Sequence, residues 1–352
     1  MTNSPSYLHH LHAFRGFAIL NVVGAHAWSF MIFWTGDLSS EGISRLFWLT
    51  ETIFHGSTVY FALISGLLFS KILETRGWQA FFTSKFTNVV IPYIIISLFL
   101  TWHYWQYLVQ DPVLNISLKD YLIVVWSNLI SGKASIHFWY IPVLMVMFLV
   151  TPLLAWIQKH SIIAMNLIAL LPLVISRSPF PDFLKPQTFI FFIGAYVLGM
   201  VVGQHYEQFK LFVAKYQRWL LVLVLLTSFV LFSLYLYGYQ AEGFYSVRQT
   251  LVYLQKTAIC ALALYWLSQR EDKLPNWLLN LGSYAFAIFF LHVIFIDLVI
   301  QSSRDIVAAS RTVELIALLG SLNFVAAIVG SMLIALIVKR IFARHARKIV
   351  GA

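Results

Sequence analysis

Apolar stretches as long as a bilayer is thick dominate this chain, and they restrict its fold more than any other feature. About 20 mostly apolar residues cross the hydrocarbon core as a helix, and only helices and closed barrels satisfy their backbone hydrogen bonds there. The sequence is 60% hydrophobic and 11% charged, whereas soluble domains carry about 25% charged residues. We therefore predict an all-α polytopic integral membrane helix bundle of about ten spans. The predicted spans are 11–34, 46–70, 89–108, 138–157, 161–176, 188–204, 219–239, 248–268, 278–300 and 312–338.

A shorter segment interrupts this series between the third and fourth spans. Residues 116–131 are only partly apolar and include Lys119, Asp120 and Asn128. A re-entrant or interfacial helix suits this length and composition better than a full crossing. We expect one transmembrane domain over 1–338, followed by a basic tail, 339–352.

Lysine and arginine positions predict the orientation of the bundle. Loops on the N-terminal side hold fifteen of these residues, loops on the opposite side hold eight, and Lys256 lies inside a span, which accounts for all 24. Basic residues accumulate on the cytoplasmic side of multi-pass proteins, so both termini are predicted to be cytoplasmic. The net charge of +10 reflects this distribution, and no basic patch indicates nucleic-acid binding.

The first span carries two ionisable residues on one face. His26 follows Arg15 by eleven residues, which is about 20° past three helical turns and about 16 Å along the axis. Ionisable groups at membrane depth are costly and usually serve transport or chemistry. A neutral imidazole can accept a proton from a hydroxyl, so His26 is predicted to be a general base or proton relay. The structural alternatives are a packing histidine and a snorkelling arginine.

Two further pairs of residues lie near predicted external helix ends. Glu51 and His55 are four residues apart and face the same way on a helix. They can orient an acceptor hydroxyl or merely pair with each other. His137 and Trp139 lie in an aromatic run before the fourth span, which suits sugar stacking or an interfacial aromatic belt.

The remaining candidates are isolated residues. His292 and Lys256 are buried ionisable groups of the apolar segments, and a structural role is favoured for Lys256. Lys85 precedes the third span on the cytoplasmic side, where a lysine suits a phosphorylated ligand or simply marks topology. The single cysteine, Cys260, excludes an intramolecular disulfide and a cysteine metal cluster. No zinc His-Glu-x-x-His motif is present, so no metal site is predicted.

Several short motifs, in this order and spacing, resemble the acyltransferase-3 family of integral membrane O-acyltransferases. They are Arg15-Gly16 with His26 eleven residues after the arginine, Leu63-Ile64-Ser65-Gly66, Val90-Ile91-Pro92-Tyr93, His137-Phe138-Trp139-Tyr140, and Ser283-Tyr284 before His292. The likeness covers nearly the whole chain. The runs 85–99 and 192–196 look similar to members that modify exopolysaccharides and biofilm polymers.

The resemblance implies a donor and an acceptor on opposite sides of the membrane. Acyl-CoA binds from the cytoplasm, His26 is the catalytic histidine, and Arg15 is its partner near the donor. The family's pair of arginines, three residues apart and thought to contact the donor phosphates, corresponds here to Lys85 and Asn88. Lysine keeps the charge but not the bidentate fork, and asparagine keeps only hydrogen bonding. The two basic residues expected to compensate are Lys71 and Arg76.

The predicted function is transfer of an acetyl or other short acyl group from cytoplasmic acetyl-CoA to a sugar hydroxyl of an exported or surface polysaccharide. Exopolysaccharide, O-antigen or a lipid-linked sugar would be the acceptor. His26 would deprotonate the hydroxyl, directly or through an acyl relay, and Arg15 would stabilise the thioester or the oxyanion. Acyl-CoA is a co-substrate, and no bound cofactor is expected. The expected setting is a bacterial inner membrane, beside polysaccharide synthesis or export proteins. The alternative is a polysaccharide exporter or flippase, although no internal repeat supports it.

Overall fold

Helices provide all the regular structure of the computed structural model, which describes residues 9–109, 117–179, 181–239 and 243–351. Across these ranges no strand occurs, and nine helical stretches are long and apolar enough to cross a membrane. They are His9–Thr35, Glu41–Lys71, Trp78–Tyr104, Tyr140–His160, Pro186–Gln204, Tyr206–Leu236, Val247–Ser268, Ala285–Ala309 and Val313–Phe342. The predicted class, an all-α polytopic membrane bundle, is confirmed.

The α-helices are numbered in chain order over the described residues. They are α1 (His9–Thr35), α2 (Glu41–Phe54), α3 (Thr58–Leu68), α4 (Trp78–Lys85), α5 (Ile91–Val109), α6 (Leu118–Ser131), α7 (Tyr140–His160), α8 (Ile162–Leu170), α9 (Pro186–Gln204), α10 (Tyr206–Leu236), α11 (Val247–Ser268), α12 (Asn276–Ser283), α13 (Ala285–Ala309), α14 (Val313–Phe342) and α15 (Ala346–Val350). The predicted span at 219–239 lies in a longer helix, since α10 starts at Tyr206. The predicted span at 278–300 is divided, since Tyr284 separates α12 from α13.

Helix α1 lies at the centre of the bundle. It packs against α2, α3, α11, α12, α13 and α14, and half of its apolar stretch is buried. Small residues let neighbouring helices approach closely. The tightest crossing joins α3 to α9, where a side-chain carbon on Gly66 would lie 1.9 Å from the Tyr196 carbonyl oxygen. Gly66, from the Leu63-Ile64-Ser65-Gly66 motif, therefore permits the close approach of these two helices.

Both described ends of the chain lie at the same end of the bundle. Near the start of α1, His12 Nε2 is 2.8 Å from Ser283 Oγ. Near the end of α14, Lys339 Nζ donates to Tyr284 Oη at 3.2 Å. Because Ser283 and Tyr284 are neighbours, the start of α1 and the end of α14 meet, and we call this the inner end of the bundle. Its cytoplasmic placement stays a prediction.

The predicted basic tail is not a separate segment. Its first residues continue α14, and α15 folds back onto α5, α13 and α14, with Ala346 and Val350 buried. The part of 339–352 that the structure describes therefore packs against the inner end of the bundle.

The second predicted span, 46–70, is broken in its middle. Helix α2 ends at Phe54, α3 begins at Thr58, and Gly56 between them has φ +76°. A helix end leaves carbonyl groups without partners. Here Lys256 Nζ donates to the Ile53 carbonyl at 2.6 Å, and Gln255 Nε2 donates to the Thr52 carbonyl at 3.2 Å. This contact supplies the structural role favoured for Lys256.

The fifth predicted span, 161–176, is too short to cross a membrane as a helix. Its apolar helical stretch is Ile162–Leu173, and the chain continues to Pro179 without regular structure. Irregular backbone at membrane depth is tolerated only where protein groups satisfy it. Ser176 N–H donates to the Phe244 carbonyl at 2.9 Å, and Ser178 N–H donates to Thr188 Oγ1 at 2.8 Å.

Helix α6 agrees with the predicted short segment at 116–131. It has 14 residues, a Ser117–Asp120 capping box at its start, and Gly132 in the left-handed conformation at its end. Fourteen residues reach about 21 Å, less than the hydrocarbon thickness. A helix that does not span is therefore confirmed over the described residues, and its re-entrant or interfacial placement stays a prediction.

Candidate active site

A cavity of about 380 Å³ lies beside the middle of α1, toward the end of the bundle opposite the inner end. We call that opposite end the outer end. The helix break between α2 and α3, residues of segment 132–139 and residues of segment 174–185 line this central cavity. Five residues predicted from the sequence meet here: His26, Glu51, His55, His137 and Trp139.

The hydrogen bonds of His26 lead to a second histidine. His26 Nδ1 lies 3.0 Å from His292 Nε2, and His292 Nδ1 lies 2.9 Å from the carbonyl oxygens of Ile288 and Phe289. A carbonyl only accepts, so His292 carries its proton on Nδ1, and in a neutral ring its Nε2 accepts. His26 Nδ1–H therefore donates to His292. The lone pair of His26 remains on Nε2.

His292 has the position of an orienting residue. Its side chain is fully buried and does not line the central cavity, whereas His26 does. The bond to His292 fixes both the tautomer and the ring orientation of His26, as the orienting group does in other histidine-based sites.

A third histidine, His137, closes this side of the cavity. Its ring centroid lies 4.5 Å from that of His292 and 5.8 Å from that of His26. His137 Nδ1 is 3.0 Å from Ser135 Oγ. Burial lowers the pKa of His137 well below its ordinary value, and the positive charges that His292 and His26 would carry act in the same direction. His137 is therefore a neutral hydrogen-bonding group at neutral pH.

A second chain of polar contacts along the cavity begins at Glu51. The carboxylate accepts from Ser29 Oγ at 2.6 Å and from His55 Nδ1 at 2.8 Å. The other ring nitrogen of His55 lies 2.6 Å from Arg177 Nη2, and Arg177 Nε donates to Gln249 Oε1 at 3.3 Å. Glu51 and His55 do pair, as one alternative held, and they also face the central cavity.

Arg177 is the functional candidate that the sequence reasoning missed. The charge count treated it as an ordinary loop residue, together with Arg248, which also lines the cavity. Its guanidinium lies 5.9 Å from the centre of the Trp139 ring. One feature of the sequence could have indicated Arg177, namely the shortness of the fifth predicted span, 161–176, which precedes it. A chain that leaves its helix before crossing the membrane has to continue through the protein interior.

Arg15 does not reach this cavity. Eleven residues of continuous helix separate it from His26, which places the two side chains about 16 Å apart along the axis. Its guanidinium carbon lies 5.7 Å from the centre of the Phe286 ring. Arg15 is not among the residues that line the central cavity, and its predicted role in stabilising the thioester or the oxyanion stays a prediction.

Lys85 accompanies Arg15 at the inner end. Its Nζ lies 4.5 Å from the centre of the Phe148 ring, and it is near enough to Arg15 for the two charges to interact. Two half-buried cations that interact with each other, each beside an aromatic ring, form a site suited to an anionic group.

The comparison with protein families agrees with this architecture. The acyltransferase-3 model, described as an acyltransferase domain, matches residues 8–340, essentially the whole chain. The chain belongs to the acyltransferase-3 family. With nine helices able to span a membrane in its described part, it is a multi-pass membrane acyltransferase, and the predicted family is confirmed. Comparisons with curated proteins and with solved structures give no match.

The other predicted donor residues of this acyltransferase-3 chain are not gathered around Arg15 in the same way. Asn88 donates to Ser84 Oγ, one turn earlier on its own helix, at 3.1 Å. Lys71 Nζ lies 5.4 Å from the centre of the Tyr206 ring, and Arg76 is exposed in the turn that follows. Their contact with a donor stays a prediction.

In the described part of the chain, no group of three or more histidine, cysteine, aspartate or glutamate side chains could hold a metal ion. His26 and His292 bond to each other, His137 bonds to Ser135, and His292 also bonds to backbone carbonyls.

Proposed function

We propose that this acyltransferase-3 protein moves a short acyl group, most simply acetyl, from cytoplasmic acyl-CoA to a sugar hydroxyl of an exported or surface polysaccharide. The observation that carries the proposal is the hydrogen-bond chain from the Ile288 and Phe289 carbonyls through His292 to His26. It leaves the His26 Nε2 lone pair on the ring edge away from His292, within a cavity large enough for a small ligand.

The proposed reaction needs only one proton carrier. His26 Nε2 takes the proton of the acceptor hydroxyl while the hydroxyl oxygen attacks the thioester carbonyl carbon. The carbon–sulfur bond of the tetrahedral intermediate then breaks, and the imidazolium returns the proton to the departing thiolate. The products are an ester of the sugar and free CoA. His292 stabilises the imidazolium by keeping its hydrogen bond throughout.

Acceptor recognition is assigned to the polar wall of the central cavity. Glu51 is an acceptor of hydrogen bonds, and Arg177 has N–H groups beyond those given to His55 and Gln249. Trp139 contributes an aromatic surface against which a sugar ring can stack. These residues would hold a hydroxyl-rich ligand opposite His26.

Donor recognition is assigned to the inner end. Arg15 and Lys85 would bind the phosphates of acyl-CoA, with Lys71, Arg76 and Asn88 as further predicted contacts. Because Arg15 and His26 are about 16 Å apart along one helix, the long pantetheine arm would have to follow α1 to deliver the thioester. The proposed setting is a bacterial inner membrane with this end in the cytoplasm.

The test uses the protein in nanodiscs with acetyl-CoA and the polysaccharide of the native host. We expect ester signals in the NMR spectrum of the polymer, and release of free thiol, with the wild-type protein. His26→Ala lowers both rates by about 10²- to 10⁴-fold. His160→Ala is the matched control, because this exposed histidine at the end of α7 contacts the carbonyl and the ring of Trp156 on its own helix and does not line the central cavity.

Two results would overturn the proposal. One is unchanged ester formation with a well-folded His26→Ala protein. The other is movement of the polymer across the membrane with no ester and no thiol released, which would favour the exporter alternative.

A further inference from the structure

A second space lies at the outer end beside the central cavity. It has a volume of about 690 Å³ and shares Ile136, Trp139 and Phe183 with the central cavity. The rings of Trp139 and Phe183 stack at 4.6 Å between centroids with their planes 20° apart. We call this space the outer groove. A polymer with one residue in the central cavity would continue along it.

Basic side chains of the outer side are concentrated around these two spaces. The sequence places eight lysines and arginines in outer loops, and four of them line the groove or the cavity: Lys133, Lys185, Arg177 and Arg248. Basic residues are disfavoured on this side of a membrane protein by topology. Their concentration around the central cavity and the outer groove is therefore better explained by binding of a ligand than by the rule that orients the chain in the membrane.

One carboxylate of the same walls is paired with a cation, and the other is connected to a cation through a histidine. Asp182 Oδ2 lies 3.3 Å from Lys185 Nζ, and Glu51 is linked through His55 to Arg177. With the histidines neutral, four cations and two carboxylates give the central cavity and the outer groove together a net charge of +2. Lys133 is exposed and makes no ion pair within the described ranges.

We propose that the outer groove binds an acidic residue of the acceptor, through Lys133 and Lys185, so that the enzyme acts on anionic glycans. The recognised group is a carboxylate or a phosphate, both of which a lysine ammonium binds as a point charge. The proposal rests on the proposed acyl transfer, because it names the class of acceptor for that reaction. Trp139 and Phe183 would separate the bound acidic residue from the reacting one.

Binding of short oligosaccharides to the protein in nanodiscs of neutral lipid tests this directly. The probes are an oligogalacturonate, the same oligomer after carboxyl reduction, and an oligomer of glycerol phosphate. At about 50 mM salt we expect an anionic oligomer to bind about tenfold more tightly than the neutral one, and the preference to shrink at about 500 mM salt. The carboxylate and phosphate arms show which group is recognised.

The decisive variant is K133Q/K185Q, which should reduce the preference to about twofold or less. Its matched control is K119Q/R311Q, which removes the same charge from the same side at positions that line neither space. Equal binding of charged and neutral oligomers, no binding of either anionic oligomer, or a preference kept in K133Q/K185Q would overturn the proposal. Equal losses in both double variants would overturn it too, since a general surface field would then explain them.

The proposed function is tested separately. Thiol release by wild-type protein and by His26→Ala with the native polymer does not depend on which oligomer binds. Full acyl transfer without a preference for anionic oligomers rejects only the proposed binding of an acidic residue in the outer groove. Anionic preference without any His26-dependent transfer rejects only the proposed function.

Discussion

Substitutions of His292 test most directly how the tautomer and the ring orientation of His26, the candidate base, are fixed. Replacing His292 with leucine removes the acceptor of His26 Nδ1–H and places an apolar side chain at this fully buried position. Replacing it with glutamine keeps an acceptor, because the glutamine side-chain oxygen can occupy nearly the position of the histidine Nε2. The leucine variant should be impaired, and the glutamine variant should approach the wild type.

The expected loss of kcat in the leucine variant follows from the free-energy cost of an unpaired buried hydrogen-bond donor. Leaving the His26 Nδ1–H without its partner costs about 1–3 kcal/mol. The ring avoids that cost by rotating or by moving its proton, and either change removes the lone pair from the position facing the cavity. If the whole cost appears in the transition state, kcat falls by about 5- to 150-fold.

The assay is initial thiol release from acetyl-CoA with saturating acceptor, together with thermal unfolding to show that each variant is folded. We expect His292→Leu to lower kcat with little change in KM for either substrate, and His292→Gln to remain within about threefold of wild type. A folded His292→Leu protein with wild-type kcat would refute the proposed orientation of His26. Equal losses in both variants would show that shape, rather than hydrogen bonding, matters at this position.

Three other variants and one control variant test the surroundings of the site and the proposed donor end. Gly56→Ala should abolish activity and destabilise the protein by more than about 1–2 kcal/mol, since the added carbon would lie 2.5 Å from a side chain of α11. Gly238→Ala, also at positive φ but with nothing within 4 Å, isolates the backbone part of that cost in thermal unfolding. Lys256→Met should lower thermal stability by about 1–3 kcal/mol, because the Ile53 carbonyl loses its donor, and an unchanged melting curve would contradict the capping role. Lys85→Gln should raise KM for acyl-CoA about fivefold with KM for the acceptor unchanged, and equal effects on both substrates would remove Lys85 from the donor site.

Much of the site was predictable because helical geometry links sequence spacing to position. The 16 Å between Arg15 and His26 follows from their spacing alone, and it holds because α1 is continuous. Pairing of Glu51 with His55 likewise follows from a four-residue spacing. These predictions succeed where both residues lie in one uninterrupted helix.

The rest depends on tertiary contacts that spacing does not encode. The break at Gly56 was not predicted, because a glycine in an apolar helix is normally tolerated and the Lys256 contact that caps the break comes from 203 residues later. The partnership of His26 with His292 joins α1 to α13. Arg177 reaches the cavity only because the fifth predicted span ends its helix early and returns through the interior.

The residues proposed for proton transfer and those proposed for acceptor binding belong to different kinds of local structure. The base and its orienting partner belong to uninterrupted helices of the bundle centre, which hold atoms to fixed positions. The acceptor wall is made from a helix break and from two connecting segments, 132–139 and 174–185, where sequence change is tolerated best. Grafting those two segments from another acyltransferase of this architecture should therefore exchange the polymer that is modified while leaving the proton-transfer machinery intact.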